Sequence, residues 1–393
     1  MRHTGAFGQI ICGTIAVLLV ACGGGGDPAG PPPQPLPAAP APGTLGDGRL
    51  SENLEWARAS QGLPALSAVI IRDGLVVERA AVGLRSADAN VQVTTTDRWH
   101  LGSITKSMTA TLAATLVEDG LIDWDTTPVE VWPELANDID AGFRNITLRQ
   151  LLSHTSGMER DDEFSGAADN AAGTVQAKRY LWAKRLLARS PAFPDRRWSY
   201  SNVGYVVAGA MLETRAQASW ESLLQSRVFA PLGMSHSGFG APGTPNLLDE
   251  PLGHFSRNSG YDPVALGPDA DGPNAMGPAG NVHSTLDDMA LYLTAHMNGA
   301  RGVPGLLTVD SFAMLHTPIA SDYAMGWWRQ ATSLINVPLI HHGGSNLRWF
   351  AEVWFAPDRN VAVAIFTNGG GDRAQAAILA TEGQLLARIA ATP

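Results

Sequence analysis

The chain is poor in cysteine, lysine and charge, and each shortage narrows what it can be. Of its 393 residues only Cys12 and Cys22 are cysteines. Both lie in the first 22 positions, so no disulfide can staple anything beyond them, and stability there must come from the core. Charged residues make up 16 % and apolar residues 45 %, against roughly 25 % charged in ordinary soluble domains. That is the composition of a well-buried globular chain, not of a disordered or coiled one. The formal net charge is −10, so nothing draws the protein toward nucleic acid. No H-E-x-x-H occurs, and His100, His236, His283 and His316 have no ligand spacing, which argues against a metal site and leaves no cofactor indicated. No G-x-S-x-G occurs either, which argues against the nucleophile elbow of an α/β-hydrolase.

Residues 1–21 read as a targeting segment and take no part in the fold. Arg2 and His3 precede an apolar run, Ile10–Val20, that is shorter than the roughly 20 residues a membrane span needs. It ends in Leu19-Val20-Ala21-Cys22, which resembles the lipobox of bacterial lipoproteins. The resemblance implies cleavage before Cys22 and attachment of a lipid to its sulfur, with the protein facing the periplasm and the outer membrane weakly favoured. Residues 22–48 follow as a tether. Between 23 and 48 stand eight prolines and eight glycines, part flexible and part polyproline.

The folded unit is expected over 49–393. A helix is expected from Ser51 to Ala59, then strands Ala65–Arg72 and Leu75–Ala81 joined at Asp73-Gly74, a strong hairpin signal. Arg348–Phe355 and Val361–Thr367 form a second strand pair, and a last helix runs from Arg373 to Ala390. In between, Ile104, Met108, Leu112 and Leu116 give a helix one apolar stripe, which Gly120 ends. Thr147-Leu148-Arg149-Gln150 reads as a capping box, and Asn202 opens another helix. The fold class is therefore α/β (α+β): an antiparallel sheet from about 49–98 and 325–393, flanked by N- and C-terminal helices, with a mostly helical insertion over about 99–324. The site should lie between the two parts.

Only three of the 27 basic residues are lysines, Lys106, Lys178 and Lys184. Lys can give up its proton in a folded site, whereas Arg effectively cannot. Lys106 stands three residues after Ser103 at a helix start, which puts hydroxyl and amine on one face. The helix N-terminus adds amide donors for an oxyanion. An acyl-transfer nucleophile needs that arrangement.

Trp99-His100-Leu101-Gly102-Ser103-Ile104-Thr105-Lys106-Ser107-Met108 resembles the nucleophile segment of class C β-lactamases and related esterases and peptidases. Ile146–Met158, Tyr200-Ser201-Asn202, Pro278-Ala279-Gly280 and the stretch at Asp288 resemble further blocks of that family, in the same order. The resemblance implies a β-lactamase/transpeptidase-like fold. It makes Ser103 the nucleophile and Lys106 its amine partner. Tyr200 becomes the proton shuttle, its phenol made more acidic by adjacent ammonium charge, and Asn202 a ligand of substrate and Lys106. The third motif departs from the family's Lys-Thr-Gly: here His342-Gly343-Gly344-Ser345 stands on the strand lining the site. Its glycines let a substrate backbone approach, and the Ser103 and Ser345 amides would form the oxyanion hole. A mostly neutral His342 does not supply the fixed cation that holds a substrate carboxylate, although Arg348 is near enough in sequence to replace it. His154 reads as a structural residue at a helix end, and Trp327-Trp328 as cleft lining or core.

These features point to an exported serine hydrolase acting on an ester or amide, with a small-molecule or peptide substrate and membrane attachment through Cys22. The alternatives are a true β-lactamase or D,D-peptidase, and a non-catalytic binding or sensor protein using the same pocket.

Overall fold

The computed structural model describes residues 38–162, 172–258, 260–267 and 270–392. The signal-peptide and lipid-anchor readings, Cys22 included, lie outside these residues. Among the described residues no helix is long and apolar enough to cross a membrane.

The two ends of the chain build one antiparallel sheet. Strands β1 (Ala65–Arg72) and β2 (Leu75–Ser86) meet at Asp73-Gly74, where φ is 55° and 76°. Two successive left-handed residues give a turn whose twist matches that of a hairpin, and Asp-Gly adopts it at little steric cost. β3 (Ala89–Gln92) follows on the edge. The middle of the chain makes only short strands: β4 (Trp99–His100), β5 (Gly238–Phe239), the ribbon of β6 (His254–Arg257) and β7 (Gly260–Pro263), and β8 (Val282–Ser284). The sheet resumes with β9 (Trp328–Thr332), β10 (Val337–Ser345), β11 (Phe350–Ala356) and β12 (Val361–Thr367). Its order is β3-β2-β1-β12-β11-β10-β9, with Leu66 opposite Thr367 and Arg72 opposite Val361.

Helices cover both faces of the sheet, so its central strands carry apolar residues at nearly every position. On one face α1 (Leu50–Gln61) and the C-terminal helix Gly371–Ala391 pack Leu54, Ala57, Leu385 and Leu386 over Leu66, Ala68, Ile70 and Val363. The other face, carrying Val69, Ile71, Val353, Phe355, Ala364 and Phe366, packs on the helical part. There lie α2 (Thr105–Glu118), α3 (Leu148–Leu152), α4 (Asn202–Ala216) and α5 (Leu286–Ala300). The capping box at α3 is present in both directions: Thr147 Oγ1 accepts the Gln150 amide hydrogen and Gln150 Oε1 accepts that of Thr147.

Two features depart from the sequence reading. First, α2 has no single apolar stripe, because every residue from Thr105 to Leu116 is buried. Its polar side chains bond backbone that it would otherwise leave unpaired: Thr105 Oγ1 accepts from Val282 N at 3.0 Å, and Thr109 Oγ1 donates to Pro278 O at 2.8 Å. Second, the tether does not run free to residue 48. Arg388, wholly buried, donates to Pro42 O, Thr44 O, Asp47 Oδ1, Asn53 Oδ1 and Glu78 Oε2 at 2.5–2.9 Å. A guanidinium presents a rigid fork of donors, and here two of its five acceptors are backbone carbonyls of the Pro/Gly segment.

Candidate active site

Ser103 lies in a 3-10 turn, Gly102–Ile104, that runs into α2. It therefore precedes the first turn of the α-helix instead of belonging to it. Gly102 takes φ 52°, a left-handed conformation that glycine adopts without penalty. Ser103 is 8 % exposed, and Lys106 Nζ lies 3.0 Å from its Oγ. The same Nζ is 2.7 Å from Asn202 Oδ1, at the start of α4, and 2.7 Å from Ala279 O. Both of those oxygens can only accept. A neutral amine can donate to the two of them and turn its lone pair to the Ser103 hydroxyl, and an ammonium can donate to all three. The site thus accommodates a proton moving from Oγ to Nζ without a change of partners.

Asn202 also donates through Nδ2 to Asp161 Oδ1 at 2.6 Å, so both ends of its amide are engaged. Tyr200, just ahead of α4, sets its ring 4.8 Å from Lys106 Nζ and 5.2 Å from the Arg160 guanidinium. His154 packs against that ring at 4.4 Å between centroids, and its Nδ1 accepts the Ser201 amide hydrogen at 3.1 Å. It sits just past the end of α3 with φ 62°. Its work is to hold the Tyr200-Ser201 backbone, in line with the structural reading. Burial pushes its pKa well down, and Lys106, His342 and Arg160 push the same way, so its ring stays neutral. Tyr205 and Tyr323 stand nearby, and burial raises the pKa of each phenol. Both are thereby held toward the neutral phenol. Tyr200 is half-buried, its ring flanked by Lys106 and Arg160.

The third motif ends β10. Gly343 pairs with Glu352 of β11, and Gly344 crosses the nucleophile turn. A Cβ on Gly344 would stand 2.0 Å from Leu101 O and 2.8 Å from Ser103 N, and one on Gly102 would stand 2.4 Å from Ser345 N. Two glycines therefore let the Ser103 and Ser345 amides come together. Gly344→Ala would force backbone away from backbone, and a misplacement of about 1 Å can cost about 100-fold in rate. The expected result is a loss of that order in kcat for p-nitrophenyl acetate, with the far-UV circular dichroism unchanged. A variant within three-fold of wild type would show that the two amides do not act together.

The sequence reading makes His342 a substrate contact, and here it is corrected. His342 is 2 % exposed. Its Nδ1 donates to Gly343 O at 2.6 Å, and its Nε2 accepts from the Tyr323 hydroxyl at 3.2 Å. Burial, then Lys106, lowers its pKa to about 3. It is a buried, neutral ring tied to Gly343 and Tyr323. Strand alternation sends His341 to the opposite face, where Nδ1 meets Glu352 Oε1 at 3.0 Å. Arg348 bonds Asn346 O at 3.2 Å and stacks over Phe255 at 4.8 Å, which turns its charge to that loop. Trp327 is fully buried core, while Trp328 meets Trp198 edge-on at 5.2 Å.

Three contacts escaped the sequence reading. Ala279 acts through its carbonyl, which the Pro278-Ala279-Gly280 block located without assigning. Asp161 and Tyr323 carry no motif and reach the site through loops.

Residues 50–387 match the family described as Beta-lactamase. Penicillin-binding protein 4 of Amycolatopsis lactamdurans is 27 % identical over 329 residues, covering 81 % of this chain and 84 % of that protein. The unguisins hydrolase ungD' of Aspergillus campestris is 26 % identical over 324 residues, covering 78 % of this chain but only 58 % of its own length. Among solved structures, a D-stereospecific amidohydrolase from Streptomyces sp. superposes with a TM-score of 0.65 at 26 % identity, covering 85 % of this chain and 98 % of that one. The matched span holds the whole sheet, the nucleophile turn and the Lys106 pocket, so the chain belongs to the β-lactamase family, among the β-lactamase/transpeptidase-like serine hydrolases.

Proposed function

We propose that the protein hydrolyses an ester or amide, with no free carboxylate beside the scissile bond, through an acyl-enzyme on Ser103. The observation that carries this is the Lys106 amine, 3.0 Å from Ser103 Oγ and fixed by Asn202 Oδ1 and Ala279 O. Ser103 Oγ attacks the carbonyl carbon as its proton passes to the Lys106–Tyr200 pair. The oxyanion takes hydrogen bonds from the Ser103 and Ser345 amides. The C–O or C–N bond then breaks, and the leaving group departs with the proton from Tyr200. Water, deprotonated by the same pair, cleaves the Ser103 ester and releases the acid.

The preference against a carboxylate rests on His342, neutral and buried where the family carries lysine. The likeness to penicillin-binding protein 4 favours a second reading, a D,D-peptidase or β-lactamase. A rate panel separates the two: p-nitrophenyl acetate and longer aryl esters, D-amino-acid amides, D-Ala-D-Ala peptides and a chromogenic cephalosporin, with Ser103→Ala as control. Ester or amide turnover well above that of the cephalosporin is expected, together with a fluorophosphonate label on Ser103. Faster cleavage of D-Ala-D-Ala peptides or the cephalosporin would establish the second reading. An unlabelled Ser103 in folded protein would leave only a binding role.

A further inference from the structure

One carboxylate joins the two backbone segments that meet at Ser103, and the acyl-transfer steps make no use of it. Asp271 Oδ2 lies 2.8 Å from His100 Nε2, and its Oδ1 accepts from Asn346 Nδ2 at 3.0 Å and from the Gly272 amide at 2.7 Å. His100, 1 % exposed, accepts the Gly102 amide hydrogen through Nδ1 at 3.1 Å. That contact settles the tautomer: Nε2 carries the hydrogen and donates it to Asp271. Asn346 Oδ1 in turn accepts from the Arg348 and Trp349 amides at 3.2 Å each. Ser345 Oγ donates to Trp349 O at 2.8 Å, and the Trp349 ring stacks on His100 at 5.4 Å. Two arms therefore leave one carboxylate. One ends at the residue before Ser103, the other at the residue after Ser345.

The two amides belong to different elements, the turn after β4 and the end of β10, and no short stretch of chain fixes their spacing. An ionised carboxylate only accepts, so it sets the polarity of both arms at once, and charge-assisted bonds are roughly twice as strong as neutral ones. Burial pushes the Asp271 carboxyl up, but His100, Asn346 and the Gly272 amide outweigh it and hold the group below its ordinary value. We propose that Asp271 is a positioning residue that holds the Ser103 and Ser345 amides at the spacing an oxyanion needs, through His100 on one side and Asn346 on the other. The inference rests on the acyl-transfer reading above.

Asp271→Asn tests it, because the new amide turns a donor toward the donors of Asn346 and Gly272 while it can still accept from His100. The loss expected is about ten- to a hundred-fold in kcat for p-nitrophenyl acetate, since removing or misplacing an oxyanion donor costs on that scale. KM should stay within about two-fold, because ground-state binding does not use the oxyanion hole. The inhibition constant for phenylboronic acid, which forms a tetrahedral adduct, should rise in step with the fall in kcat. Asp271→Asn/Asn346→Asp restores a donor–acceptor pair between the arms and should recover most of the lost rate. Rates are taken per Ser103 titrated to completion with a fluorophosphonate, so molecules that fail to fold do not count. An active wild type whose Asp271→Asn variant keeps its kcat and boronate affinity overturns the inference alone. So does a double variant no faster than the single one. An inert, unlabelled wild type overturns the acyl-transfer reading and this one with it.

Discussion

Lys106→Arg is expected to remove hydrolysis of p-nitrophenyl acetate as completely as Lys106→Ala, with kcat down by about four orders of magnitude in both. The reason lies in what the two cations can do. Arg keeps the charge but effectively never gives up its proton, whereas in the proposed acyl transfer the amine of Lys106 takes one from Ser103 Oγ, 3.0 Å away. Residues that act as a unit are strongly non-additive, so Ser103→Ala/Lys106→Ala should be no slower than Ser103→Ala alone. The two single variants differ in stability instead. Alanine strips the Lys106 amine from Asn202 Oδ1 and Ala279 O, and a buried acceptor left without a donor costs about 1–3 kcal/mol. Steady-state kinetics with urea unfolding of the same preparations separates the two effects. A Lys106→Arg enzyme within ten-fold of wild type would mean that charge alone serves, and proton transfer through Lys106 would have to be abandoned.

Local chemistry explains how much of this could be read from the sequence. Asp73-Gly74 and the Thr147 capping box are short-range signals, and the structure has both. The chain ends read as strands because β1 and β12 are continuous apolar runs, and their pairing follows from covering both faces. Ser103 and Lys106 stood out because lysine is scarce. What escaped depends on long-range packing. Arg388 reaches carbonyls of a Pro/Gly segment some 340 positions away, and composition does not mark a carbonyl as an acceptor. His100 gave no ligand spacing because its partner, Asp271, is 171 residues distant. His342 was placed on the correct strand, but burial and the Tyr323 hydroxyl, not its distance in sequence from Ser103, decide that its ring is enclosed and neutral.

Mild acid should unfold this protein sharply, with the urea midpoint highest near pH 7–8 and the fold lost between about pH 6 and pH 4.5. Eight histidines are buried among the described residues, and six of them matter here: His154, His254, His283, His296, His316 and His342. Burial lowers the pKa of every one, to about 4 for His283 and about 3 for His316 and His342. Geometry points the same way. His254 Nε2 accepts the Ala87 amide hydrogen, His154 Nδ1 accepts that of Ser201, and His296 Nδ1 shares one hydrogen with His316 Nε2 across 2.9 Å. Doubly protonated rings could not keep these contacts. A histidine whose folded pKa is depressed contributes stability that is present above its unfolded value of about 6.5 and is lost as pH falls toward the folded value. In that window each group costs at most about 1.4 kcal/mol per pH unit, so together they cost several kcal/mol per unit, against a total stability of about 5–15 kcal/mol. Glu382 opposes them. Burial beside Glu352 raises its carboxyl to about 7, and burial raises that of Glu213 to about 7 as well, so their contribution is full below about 4.5 and fades as pH rises through 7, two groups against six. His316→Phe removes one proton from the difference and should flatten the fall between pH 6 and 5 by about one part in six. A midpoint that does not move between pH 7.5 and pH 5 would mean that these rings are not held neutral, and the acid sensitivity would have no source in them.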